Sequence, residues 1–167
     1  MKAHKRPATR AEARALAHPL RLRILRLCLD EALTNREIAD RVREQPATVL
    51  YHVRTLARNG FLVAEAERRG RRGAREIPYR ATRKSWTIEW EPRGSDHVAP
   101  VEAFRAEMLE AGAESVLQSA RLGVRLRPKD LARLQRRIQS AVMMAHDADD
   151  PDGEPVSLYI GLHRRES

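Results

Sequence analysis

The sequence predicts a mainly α-helical protein with a small β component, and three observations predict it. Apolar residues recur at helical spacing through most of the chain. One stretch near the middle switches to short β-prone runs around glycines and arginines. An apolar fraction of 42% against 33% charged residues is enough to form a buried core, and 167 residues suit one domain with an appendage.

In chain order, residues 1–8 hold Lys2, Lys5 and Arg6 around Pro7 and read as a disordered basic arm. A short helix follows from Thr9, with Leu16 and several alanines inward. Pro19 then suits the first turn of a second helix, where its missing N–H costs nothing. In that helix Leu20, Ile24, Leu27 and Cys28 form an apolar stripe edged by Arg21, Arg23 and Arg26, so Cys28 reads as core packing rather than redox or metal chemistry. Thr34-Asn35-Arg36-Glu37 is a capping box opening a helix with Ile38, Ala39 and Val42 inward. After the turn Arg43-Glu44-Gln45, Pro46 starts another helix that runs to the C-cap signal Asn59-Gly60. Val49, Val53 and Leu56 face inward there, with His52 beside them.

Phe61-Leu62-Val63 and Ile77-Pro78-Tyr79 then read as two strands joined by a tip rich in glycine and arginine, and Pro78 argues for an edge or bulged return strand. Ser85–Trp90 is a further strand candidate, and residues 91–96 a linker. A long helix is expected from Val101 to Arg121, softly interrupted at Gly112, with Phe104, Met108, Leu109, Val116 and Leu117 inward. Another is expected from Pro128 to Asp147, with Leu134, Ile138, Val142 and Met143 on one face. An acidic loop and a closing strand, Val156–Leu162, complete the chain. Trp86 and Trp90 read as core between that strand and the long helices, or as an aromatic effector pocket or protein-binding surface.

Charge divides the chain. Residues 1–84 hold 21 Lys and Arg against 9 Asp and Glu, and residues 85–167 hold 11 against 14. A strongly basic front half points to a polyanionic partner. One cysteine excludes a disulfide framework or a cysteine-clustered metal site within the chain. No apolar run approaches the roughly 20 residues of a membrane span, and the basic start lacks an apolar signal core, so a cytoplasmic location is expected. Catalysis is not expected: no nucleophile–base pair or phosphate-cradling glycine motif is present, and Glu102, Glu107, Glu110 and Glu114 look like the solvated side of a helix.

A helix, a short capped helix, a tight turn, a proline-started helix and a basic hairpin form the layout of a winged helix-turn-helix. Its second helix lays an N-terminal edge in the DNA major groove, and here that edge offers Gln45, Ala47, Thr48, Leu50, Tyr51 and Arg54. Gln45 suits adenine, Arg54 suits guanine or phosphate, and the Thr48 methyl or Leu50 suits a thymine methyl. The hairpin adds Arg68, Arg69, Arg71, Arg72 and Arg75 for phosphates or a narrow minor groove. The predicted organisation is therefore a basic arm (1–8), a winged helix-turn-helix (9–84), and a helical region for dimerisation and possible effector binding that ends in a strand (85–167).

The segments LAHPLRLRILRLC, TNREIADRV and ATVLYHVRTLARNGFLV resemble ArsR-type winged-helix regulators over roughly residues 10–84. The resemblance implies a homodimer built from the first helix and the helices after the wing. It also implies a partly palindromic operator and, usually, repression. By position it carries Thr48, Leu50, Tyr51, His52 and Arg54 onto the recognition stretch, with Leu50 where a small serine is common. The family's metal-sensing branch uses a Cys-x-Cys pair or carboxylate and histidine ligands on the last helix. The pair is missing here, and His146, Asp147, Asp149 and Asp150 are the remaining ligand candidates. A helix end followed by an acidic loop accounts for them without metal, so no cofactor is expected. The competing reading is a winged helix that contacts protein, or one that binds DNA without choosing a site.

Overall fold

The computed structural model describes residues 5–70, 73–90 and 94–164. Two compact units emerge, Met1–Glu110 and Ala111–Ser167.

The first unit is organised around three helices. Its elements begin with β1 (Arg6–Pro7), α1 (Arg10–Leu16), α2 (Pro19–Leu27), β2 (Leu33–Thr34), α3 (Asn35–Val42) and α4 (Pro46–Arg58). They continue with β3 (Leu62–Ala64), β4 (Arg68–Arg69), β5 (Arg75–Glu76), β6 (Pro78–Ala81), α5 (Lys84–Thr87), β7 (Ile88–Glu89) and α6 (Val98–Ala111). The apolar faces of α2, α3 and α4 meet at Ile24, Cys28, Ile38, Val49, Val53 and Leu56, all at 0% exposure. Each Val, Leu or Ile so enclosed removes enough apolar surface from water to be worth roughly 1.5–3 kcal/mol. Cys28 is inert there, since burial pushes its thiol up to about 12.

Local chemistry sets the helix ends. Thr9 and Thr34 each accept from the amide three residues on, and Glu12 and Glu37 reach back to the cap amides, closing two capping boxes. Gly60, at φ +72°, ends α4 and lets the Phe61 amide reach the Leu56 carbonyl.

Behind the helices β2, β6 and β3 form an antiparallel sheet with β6 in the middle. Pro78 was expected on an edge or bulged strand, and the structure puts it in the central one. It is tolerated because it is the first residue of β6, where its carbonyl still accepts from the Glu65 amide. β4 and β5 continue the hairpin outward as the wing.

The N-terminal arm is ordered from residue 5, contrary to expectation, while Lys2 and His4 lie outside the described residues. Arg6–Pro7 runs parallel to Ile88–Glu89, and Arg6 reaches the Glu12 carboxylate at 2.6 and 2.9 Å. Glu12 is only 5% exposed and also takes Lys84 at 2.7 Å. That one buried carboxylate ties the arm, α1 and α5 together; hydrogen bonds from Arg6, Lys84 and Thr9 hold it well below the usual carboxylate range. Residues 84–87 wind into a helix and only 88–89 are strand, where the sequence suggested a strand over 85–90.

The expected helix over 101–121 starts earlier and stops at Ala111, because Gly112 turns to φ +86° and a short 3₁₀ turn follows. It buries Ala99 and Ala103 instead of its larger residues; Val101 is 43% and Leu109 70% exposed.

In the second unit α7 spans Pro128–Asp147, as the spacing predicts, with Pro128 at its first position. Val156–Leu162 forms no strand, contrary to expectation. β-prone side chains make a strand only within a hydrogen-bonded ladder, and no sheet among the described residues includes this segment. The tryptophans therefore do not pack against a closing strand. Trp90 packs on the core of the first unit, and Trp86 lies under the Arg83 guanidinium at 4.8 Å.

One backbone strain sits at the turn between α3 and α4, where Arg43 adopts φ 57°, ψ 44°. A left-handed conformation is costly for any residue with a Cβ. Replacing Arg43 with Gly is expected to raise stability by roughly 0.5–1 kcal/mol, and Arg43→Val to lower it by about 1 kcal/mol or more, as read by urea denaturation.

Candidate nucleic-acid interface

The candidate surface is the outward edge of α4. Since 3.6 residues make a turn, burying Val49, Val53 and Leu56 turns Ala47, Thr48, Tyr51, Arg54 and Arg58 to solvent. Tyr51 is 62% exposed. Leu50 is half-buried, at the shoulder between the two faces. Gln45 occupies the N-cap but makes no side-chain cap, so its amide group is exposed and available to a ligand. Pro46 follows without an N–H, and the first-turn amides of Ala47 and Thr48 point with the positive end of the helix dipole toward any anion placed there.

Two features fix this edge in space. Asn35 Nδ2, at the start of α3, donates to the Pro46 carbonyl at 2.9 Å and joins the two helix N-termini across the turn. Behind α4, His52 is 6% exposed and lies on His18, with ring centroids 4.4 Å apart. Arg21 Nη1 donates to His52 Nδ1 at 3.3 Å, while its Nε and Nη2 donate to the Ala15 and Arg14 carbonyls at 2.5 and 2.7 Å. A guanidinium cannot accept, so His52 must offer a lone pair and stay neutral. His18 does the same as the α2 N-cap, its Nδ1 accepting from the Leu20 amide at 3.2 Å. Arg21 is thus a strut between α1, α2 and α4, and not part of a solvated cationic rim.

The wing is placed beside the helix pair by an ion pair. Arg68 Nη2 reaches both oxygens of Glu37, at 2.6 and 2.5 Å, and Glu37 already caps α3. Arg69 stands directly opposite Arg75 in the β4–β5 ladder, and Arg75 meets Glu67 at 3.1 Å. Like charges facing each other across a ladder disfavour it, and the Glu67 carboxylate on Arg75 offsets part of the repulsion. Of the five wing arginines, Arg68 and Arg75 are paired with Glu37 and Glu67, Arg69 and Arg75 are exposed, and Arg71 and Arg72 lie outside the described residues.

Residues 16–64 match the helix-turn-helix domain family. This segment has the helix-turn-helix fold. Such a domain is a DNA-binding unit, and the match spans α2 to β3, the elements that build and brace the exposed edge. No curated protein matches the chain.

Around the helix-turn-helix, other candidates fall apart or sit elsewhere. His146 lies 3.2 Å from Asp147, and the Asp150 carboxylate caps its own turn by accepting from the Asp152 amide at 2.9 Å. Among the described residues no three His, Cys, Asp or Glu side chains cluster as metal ligands would, and no helix is long and apolar enough to cross a membrane. Trp90 borders an open cleft of about 770 Å³ with Arg10, Arg14 and Asp96, while Trp86 does not line it. The Glu12 hub, the His18–Arg21–His52 strut and the Glu37–Arg68 tie escaped the sequence reading. Only the first left a signal, the Thr9-x-x-Glu12 capping pattern.

The neutral strut makes stability depend on pH. Burial first, then His18 and Arg21, lower His52 to about 4 from an ordinary 6.5, so the unfolded chain binds the proton more readily. Stability from this site is complete above about pH 6.5 and is lost as pH falls toward 4, by roughly 2–3 kcal/mol. Unfolding free energies of the wild type and His52→Gln across this window should converge on acidification, and parallel curves would contradict the assignment.

Proposed function

We propose that the protein is a sequence-specific transcriptional regulator that works by binding DNA and catalyses nothing. In this reading α4 enters the major groove, with Gln45, Thr48 and Arg54 at base edges and Ala47, Leu50 and Tyr51 in apolar or sugar contact. The wing lies along the backbone or the adjacent minor groove through Arg69 and Arg75. Two copies would bind a partly palindromic site, and occupancy of a promoter would block transcription. The single observation that carries the reading is the two-faced α4: its back is sealed at 0% exposure while Thr48, Tyr51 and Arg54 stand in solvent beside a cationic hairpin.

Selection of bound duplexes from a random pool, followed by affinity measurements against scrambled DNA, tests it. One enriched site with a large preference over scrambled sequence is expected; equal affinity for all duplexes would support a non-specific architectural role instead.

Arg54→Ala is expected to relax preference at one base position, costing about 1–3 kcal/mol on the selected site and little on others. Arg69→Gln with Arg75→Gln is expected to weaken all duplexes alike and to flatten the salt dependence of binding by up to about two phosphate contacts. Fluorescence anisotropy titrations across a salt series read both.

A further inference from the structure

The cleft of about 770 Å³ in the first unit is lined by four charged side chains that do not meet. Arg10 and Arg14 come from α1, one helical turn apart and both exposed. Glu89 and Asp96 come from the segment after the wing. Among the described residues no ion pair engages any of the four, although the carboxylates of Glu12, Glu37 and Glu67 are all paired. The apolar part of the lining is the Trp90 ring with Pro7, Ala8 and Ala13.

The fold keeps the two sets of charges apart. Pro7 pairs with Glu89 in the β1–β7 ladder, and the Ala8 amide donates to the Glu89 carbonyl at 3.0 Å. Trp90 packs on the core, and Ala15 and Leu16 seal the inner face of α1. Neither side can move to neutralise the other, so the cleft is preorganised for a ligand that brings charges of its own.

Its chemistry defines that ligand. The volume lies within the roughly 300–1,000 Å³ of small-molecule sites. Two cations balance two carboxylates, and a nucleic acid here would set phosphates against Glu89 and Asp96. A ligand with a carboxylate at one end, an ammonium at the other and an apolar body between them answers every lining group. Since the guanidinium groups and the carboxylates of the protein stand apart, the ligand's charges must also stand apart. A free amino acid carries both on one carbon, whereas a short peptide separates them. We propose that this cleft binds a short apolar peptide with free ends, its carboxylate on Arg10 and Arg14 and its ammonium at Glu89 and Asp96.

Two routes connect α1 to α4. Glu12 holds Lys84, whose Nζ also donates to the Asn59 carbonyl at the end of α4, at 2.6 Å. The Arg14 and Ala15 carbonyls hold Arg21 against His52. Peptide in the cleft therefore changes DNA affinity; this consequence rests on the DNA-binding reading, and the binding of peptide does not.

Trp86→Phe leaves Trp90 as the only tryptophan, and Trp86 does not line the cleft. The full chain with this change is titrated with leucyl-phenylalanyl-leucine, its N-acetyl form and its C-terminal amide, read by tryptophan fluorescence. Calorimetry on the wild type controls for the substitution. Saturable binding of the free tripeptide is expected, with each blocked form weaker by at least about tenfold. Arg10→Gln with Arg14→Gln should bind the free and amidated peptides alike. Glu89→Gln with Asp96→Asn should bind the free and acetylated peptides alike. No saturable binding at millimolar tripeptide overturns the proposal, as do blocked forms that bind as tightly as the free one, or binding indifferent to all four substitutions. In anisotropy titrations on a selected duplex the tripeptide should shift DNA affinity, and DNA should shift tripeptide affinity by the same factor. Tripeptide binding without that shift overturns the coupling to α4. A chain that binds the tripeptide but no DNA supports this site and refutes the DNA-binding reading.

Discussion

The apolar ridge on the back of α4 is the constraint on which the rest of the first unit depends. Val49, Val53 and Leu56 are sealed against α2 and α3, and a helix pinned along one ridge has no freedom to rotate about its axis. That rotational lock defines which residues are exposed. A turn of about 100° would bury Tyr51 and present a valine. The polar fittings around the ridge refine the same pose: Asn35 fixes the spacing of the two helix starts, Arg43 accepts a left-handed conformation to make the tight turn, and Arg21 braces the histidine pair from behind. Hydrophobic burial supplies the energy, and the hydrogen bonds supply the angle.

Electrostatics then divides the surface into groups committed to the fold and groups left for a ligand. Several carboxylates consume cations that composition alone would assign to DNA: Glu12 takes Arg6 and Lys84, Glu37 takes Arg68, and Glu67 takes Arg75. The basic excess of the front half therefore overstates the charge available to a polyanion. Exposed cations remain on the α4 edge, at Arg54 and Arg58, and on the outer wing, at Arg69. This arrangement favours an extended anionic rail over a compact anion.

Local signals made much of this legible in advance. Thr34–Glu37, Pro46 and Asn59-Gly60 mark helix ends through chemistry that acts over three or four residues, and those boundaries appear in the structure where the sequence puts them. The exposed edge of α4 followed from periodicity alone. What escaped was set by contacts between distant residues. Arg68 lies 31 positions from Glu37, and no local pattern distinguishes an arginine that will find a carboxylate from one that will not. Pro78 misled because its position within β6, and not its presence in a strand, decides whether a ladder bond is lost. Gly112 was read as a soft interruption, but helix stiffness there yields to a single positive φ. The Val156–Leu162 segment has strand composition, and composition cannot supply the neighbouring strand that a ladder requires.

The central claim is that α4 reads base edges from the major groove. Methylation interference on a selected duplex tests it most directly, because dimethyl sulfate modifies guanine N7 in the major groove and adenine N3 in the minor groove. The account predicts that guanine N7 methylation within the site abolishes binding, with any adenine N3 effect confined to flanking positions reached by the wing. Binding that tolerates every guanine N7 methyl group, or is blocked only from the minor groove, would contradict it.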